Sequence, residues 1–143
     1  MRVIFLTEPI FKLQRKVIRI MTNSNYQAKS GPLFKSAGIL KLYYLYNHQL
    51  ASLMWEYDHN LFPSSIEDLF LSVREIHNYG TRMATKDKLY EGHVIHTKTH
   101  GEHLLKFLGP KMLNTLKDYD FYQNCNTKRS LSLNYKKFLL ENY

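Results

Sequence analysis

Four histidines, His93, His96, His100 and His103, stand at steps of three, four and three. On one continuous helix that spacing gathers the imidazoles on one side, the arrangement that zinc ligation would require. The surrounding residues argue against it. Gly92 and Gly101 bracket the group, Thr and Val residues interrupt it, no cysteine lies nearby, and no His-Glu-x-x-His pattern sets a general base beside two ligands. A solvent-exposed, histidine-rich loop is the simpler expectation, and the sequence calls for no metal or other cofactor.

Other catalytic patterns are missing as well. The chain has no glycine-rich phosphate loop and no Gly-x-Ser-x-Gly elbow, and its one cysteine, Cys125, sits between Asn124 and Asn126 without an activating base. Glu67-Asp68 falls where the first turn of a helix is expected, and the helix dipole already accounts for acidic residues there. Two-metal phosphoryl transfer needs converging carboxylates, and the sequence contains no adjacent aspartate pair. The expectation is a chain that is not an enzyme by itself.

Charge is the stronger signal. The 143 residues carry a net charge of +8. Residues 1 to 41 hold eight Lys or Arg and one acid, Glu8, so this segment alone carries +7. Within it, residues 8 to 22 read as a basic amphipathic helix, with Thr7 as N-cap, Glu8 at the positive end of the dipole and Pro9 in the first turn. At 100° per residue Ile10, Leu13, Val17, Ile20 and Met21 occupy one arc, expected to pack, while Lys12, Arg15, Lys16 and Arg19 occupy another on the far side. The cations suit two roles: a solvated helix surface, or a phosphate-facing site with steep salt dependence.

The elements that must carry these residues are mostly helical. A turn-rich stretch, 23–30, leads to a short element at Pro32 with Leu33 and Phe34 inward and Gly38 as its end. A second long helix is expected over 40–57, with Leu42, Leu45, Tyr46, Gln49, Leu53, Met54 and Tyr57 as its stripe; Trp55 and the tyrosines could stack on bases or fill a core. Ser64-Ser65-Ile66-Glu67 has capping-box spacing for a third helix over 65–71. Weak alternation at 92–99 and 104–108 allows a β-hairpin about Gly101, Gly109-Pro110 opens a helix over 111–117, and Ser130 or Ser132 caps a last one. The fold expected is mainly α: a small, irregular helical single domain over 1–143 with about five helices and room for that one hairpin.

Length and composition set the outer bounds. Apolar residues make up 44% of the chain, enough for a core. Apolar runs such as Val3-Ile4-Phe5-Leu6 fall far short of the ~20 residues that span a bilayer, so no membrane partner is expected. A lone cysteine excludes a disulfide scaffold and suits a reducing, intracellular compartment, cytoplasm or nucleus. The basic start also permits a mitochondrial presequence.

Four segments in order carry a resemblance. They are Pro9-Ile10-Phe11-Lys12-Leu13-Gln14-Arg15-Lys16-Val17-Ile18-Arg19-Ile20; Ser30-Gly31-Pro32-Leu33-Phe34-Lys35 with Gly38-Ile39-Leu40-Lys41-Leu42; Ile76-His77-Asn78-Tyr79-Gly80-Thr81-Arg82; and Phe107-Leu108-Gly109-Pro110-Lys111. Together they resemble the C-terminal region of LINE-type, jockey-like retrotransposon reverse transcriptases. The chain departs from the family at Gly80, where an Asn is usual, at Leu113 in place of a Trp, and at Lys117 in place of a Pro. The resemblance implies a helical region in or beyond the thumb, close to template and primer. It also implies that the palm and its aspartates belong to upstream domains missing from this sequence, making the chain a truncated remnant or fragment.

Two functions follow as expectations. In the first, Lys12, Arg15, Lys16 and Arg19 contact the phosphates of RNA or an RNA–DNA hybrid without reading sequence. Arg82 joins them if its guanidinium faces a phosphate; otherwise His77, Asn78 and Thr81 satisfy a tight turn and Tyr79 packs inward. In the second, the chain is a structural or interaction module whose apolar helix faces rested on the missing palm. That reading predicts an exposed apolar patch.

Overall fold

The computed structural model describes residues 2–76, 80, 82, 88–92 and 105–142. The histidine group, the proposed hairpin about Gly101, and His77, Asn78, Tyr79 and Thr81 of the Arg82 turn lie outside them. Among the described residues there are eight helices: α1 Arg2–Met21, α2 Ser30–Ser36, α3 Leu42–Asp58, α4 Ser64–Glu67, α5 Val73–Ile76, α6 Leu105–Lys117, α7 Asp120–Gln123 and α8 Lys128–Glu141. Five of them have seven residues or more, and the fold is mainly α. The chain forms two compact units, Met1–Gln49 with Ser132–Tyr143, and Leu50–Leu131, with α3 and α8 each divided between them.

In the first unit α1 packs on α2, but not through the face its apolar periodicity selects. Ile10, Leu13, Val17, Ile20 and Met21 are all exposed, Ile20 by 71%. Over residues 7–21 of α1 the buried side chain is Ile18, and Phe11 beside it stacks on Phe34 of α2 and meets Tyr43 at 4.9 Å. Gln14 lies on the same side. Its Nε2 donates to Leu40 C=O at 2.9 Å and its Oε1 accepts from Leu42 N–H at 2.9 Å. This explains the correction: the chain entering α3 carries backbone groups that need polar partners, and the aliphatic arc has none to offer. Docking through the Gln14 side satisfies them and leaves the aliphatic arc outside. The helix also starts earlier than Glu8, so Pro9 is internal, at the cost of one backbone bond, and Thr7 is no N-cap.

Gly38, at φ +64°, ends α2 in the left-handed conformation that glycine adopts without strain, and Phe34 is fully buried as expected. At the other end of the unit His48 stacks on Tyr135, and its Nε2 lies 3.0 Å from Ser132 C=O and 3.2 Å from Ser132 Oγ.

The second unit buries Leu50, Ala51, Met54 and Trp55 of α3, so the packed stripe is displaced from the expected one, and Leu45 and Tyr46 of that stripe are exposed. Trp55 is core, and His59 stacks on it at 3.8 Å. Tyr57, Phe62 and Phe70 form an edge-to-face cluster. Gly109 of α6 fits against it, since a Cβ there would stand 2.8 Å from both Met54 Sδ and Phe70 Cε1. Close helix packing therefore requires glycine at this position. Residues 105–108, read as possible strand, are the first turn of α6, with Pro110 inside the helix and buried along with Leu113 and Leu116.

Among the described residues, extended pairing in this unit is one antiparallel bridge, Ser72 with Leu89, flanked by Val73 N–H to Lys88 C=O at 3.1 Å and Tyr90 N–H to Leu71 C=O at 2.8 Å. Capping also differs from expectation. Pro63 is the N-cap of α4, which has no side-chain cap bond and ends at Glu67. The reciprocal box forms instead at Ser72-Val73-Arg74-Glu75, where Ser72 Oγ accepts from Arg74 N–H and Glu75 Oε2 accepts from Ser72 N–H at 2.7 Å. Thr127, not Ser130 or Ser132, caps α8, its Oγ1 accepting from Ser130 N–H.

Candidate functional site

Lys12, Arg15, Lys16 and Arg19 line a single surface groove of about 720 Å³, together with Pro9, Leu13 and Tyr26. The four cations come together because α1 is a regular helix through this stretch and its packed side is the adjacent arc. Two are structurally engaged. Arg15 pairs with Glu8 at 3.4 Å and lies over the Phe11 ring at 4.8 Å. Arg19 donates from Nε to Ala28 C=O at 3.0 Å and stands 5.7 Å from the Tyr26 ring centroid. Lys12 and Lys16 are exposed and have no ion pair among the described residues.

Glu8 is the one acid on this helix. Its carboxylate accepts from Tyr43 Oη–H at 3.0 Å in addition to pairing with Arg15. Loss of hydration and the Glu8 charge both push the Tyr43 phenol above its ordinary pKa. Glu8 therefore braces α1 against the start of α3 and does not act at a helix N-terminus. Lys41, nearby in sequence, has its pKa lowered by burial.

The residue that sequence reasoning missed is Tyr26. It lies in a polar stretch read only as a helix terminator, yet it is 79% exposed and forms one wall of the cationic groove. The loop holding it is hydrogen-bonded at several points. Ser24 N–H reaches Arg19 C=O at 2.9 Å, Ala28 N–H reaches Asn25 C=O at 2.9 Å, and Gln27 N–H reaches Asn25 Oδ1 at 3.2 Å. Asn23, at φ +48°, makes the reversal that brings the loop back along α1. Two turn-forming asparagines, Asn23 and Asn25, ahead of Tyr26 mark a turn but not the helix it folds against.

Arg82, the fifth expected binding residue, is exposed but belongs to the second unit. A second concavity, of about 600 Å³, lies within that unit and includes Asp58, Asp68, Glu75 and Lys117. Three of these groups, Asp58, Glu75 and Lys117, are committed to structure. Asp58 receives Lys117 Nζ at 2.7 Å and Tyr122 Oη–H at 2.8 Å, and Glu75 holds the Ser72 cap. Cys125 is buried, with its thiol donating to Phe121 C=O. Among the described residues no three His, Cys, Asp or Glu converge as a metal site, and no helix is long and apolar enough to cross a membrane.

No family model matches the chain, and neither a curated protein nor a solved structure does.

Proposed function

We propose that the chain binds nucleic acid through the cationic side of α1, without sequence preference, as a non-catalytic segment of a reverse-transcriptase-like protein. One observation carries the reading: four cations and an exposed tyrosine share one groove, and two of those cations make no ion pair among the described residues. Cations on a helix held by its adjacent arc present charge to a polyanion without rearrangement of the backbone, so little ordering cost opposes binding. RNA and an RNA–DNA hybrid are the proposed partners, in keeping with the resemblance of the four segments.

The test is an anisotropy titration of the full chain with labelled single-stranded RNA and RNA–DNA hybrid at low and moderate salt. Because Lys12 and Lys16 are exposed and make no ion pair among the described residues, their double alanine variant should keep the fold. Each phosphate contact to a single strand contributes about 0.7 to the slope of log affinity against log salt, so the variant should lower that slope by about 1.4. Equal affinity and slope in the variant would remove the proposal.

A specific observation also supports a second reading, an interaction module. The five exposed apolar side chains of α1 form one continuous stripe, the kind of surface that marks a protein contact. In this reading the stripe is where the chain lies against upstream reverse-transcriptase domains. A monodisperse, non-aggregating monomer in sedimentation would count against it.

A further inference from the structure

We infer that the groove takes single-stranded nucleic acid in preference to duplex, with an unpaired base stacked on Tyr26 and adjacent phosphates on Lys12, Lys16 and Arg19. This rests on the nucleic-acid reading and narrows its substrate. Phosphate contacts alone do not distinguish a single strand from a duplex, because both are polyanions. An exposed aromatic ring does. Stacking needs a base face, which a duplex conceals between neighbouring pairs and a single strand offers at every nucleotide.

The geometry around Tyr26 fits that role. Tyr26 is the second residue of the Asn25–Ala28 turn, whose closing bond and Asx bond hold the backbone in place. The phenol itself projects into solvent. Arg19 ties the turn to α1 through Ala28 C=O and places its guanidinium by the Tyr26 ring, so the cation and the ring are presented together. A base on Tyr26 would thus sit beside fixed positive charge, which adds a cation–π contribution to stacking. Along α1, Lys12 to Arg19 spans roughly 10 Å, a row of charges for the backbone of the same strand.

The competing account is that Tyr26 is a surface tyrosine that only shields the Arg19 contact. The two differ in what they require of the bases. The experiment compares the wild-type chain, Tyr26→Ala and Tyr26→Phe against three probes: an oligouridine of about twelve nucleotides, an abasic deoxyribose-phosphate strand of the same length, and an RNA duplex. Circular dichroism confirms that the variants keep their helix content. Stacking predicts that Tyr26→Phe binds oligouridine like wild type and that Tyr26→Ala loses between about five-fold and about 150-fold. It also predicts that the abasic strand and the duplex do not distinguish Tyr26→Ala from wild type. Equal oligouridine affinity in wild type and Tyr26→Ala overturns the inference. If the lysine double variant still loses affinity in that case, the nucleic-acid reading stands and only the single-strand preference fails. If wild type binds none of the three probes, both fall.

Discussion

Asn114 holds Leu89 by both of its backbone groups. Its Oδ1 accepts from Leu89 N–H and its Nδ2 donates to Leu89 C=O, each at 2.9 Å, and both residues are buried. Nδ2 also donates to Glu91 Oε1 at 2.9 Å. A single β-bridge leaves one side of an extended segment unpaired, and here a helix side chain supplies what a second strand would. Gln14 does the same for Leu40 and Leu42 in the other unit. In both units a helical amide fastens irregular backbone and so keeps a connecting segment in place.

Asn114→Ala should therefore be expensive. It leaves two buried groups of Leu89 unsatisfied, at about 1 to 3 kcal/mol each before relaxation, so a loss of about 2 to 4 kcal/mol is expected in urea unfolding. Amide exchange should localise it. Leu89 and Tyr90 should lose protection before α6 does, and uniform loss would argue against the clamp.

The packed side of α1 can be tested by contrast. Ile18→Ala should cost about 2 to 4 kcal/mol, as truncation of a buried isoleucine does. Ile20→Ala, on the exposed stripe, should fall within about 0.5 kcal/mol of wild type. Similar costs at both positions would mean that the apolar arc packs after all.

These contrasts also show what was legible in the sequence. The five longer helices were, though not all of their ends, because periodicity and turn residues such as Gly38, which has positive φ, are local signals; the four-residue helices Val73–Ile76 and Asp120–Gln123 are too short to show a period. The cationic cluster was legible for the same reason. Which side of α1 is buried was not, since hydrophobicity ranks the arcs while the decision rests with Gln14 bonding to backbone some 26 residues away. The capping boxes make a similar point: Ser64 and Ser72 head identical Ser-x-x-Glu spacings, but the N-cap of α4 is Pro63, whereas the second spacing forms its bonds where the Ser72–Leu89 bridge sets the entry to α5. Tyr26 was hidden because a polar loop gives no hint of the helix it folds back against.

Arg19 separates charge from shape. Arg19→Lys keeps the cation but loses the planar Nε donor to Ala28 C=O. If the Tyr26 turn matters for binding, oligouridine affinity should fall by about two- to twelve-fold, the equivalent of a net loss of about 0.5 to 1.5 kcal/mol when the lysine ammonium replaces the guanidinium donor. The salt slope should stay unchanged. NMR order parameters at Asn25 to Ala28 should drop in parallel, and an unaltered turn with unaltered affinity would show that charge alone is sufficient.

Tyr122 gives the chain an alkaline limit. Its phenol is pushed far above the ordinary value of 10, first by burial and then by the Asp58 carboxylate to which it donates at 2.8 Å. The folded state thus keeps a proton that the unfolded chain releases once pH passes about 10. Because the folded state binds more protons in that window, stability is fully present below about pH 10 and declines as pH rises above it. Tyr122→Phe cannot release that proton. At neutral pH the variant should be less stable by about 1.5 to 3 kcal/mol, the worth of a hydrogen bond to a charged group. Above pH 10 the gap between wild type and variant should narrow, because only wild type keeps losing this contribution. Urea midpoints of the two proteins across that range test the sign directly, and a gap that widens with pH would mean that Tyr122 is not held in its neutral form by Asp58 and burial.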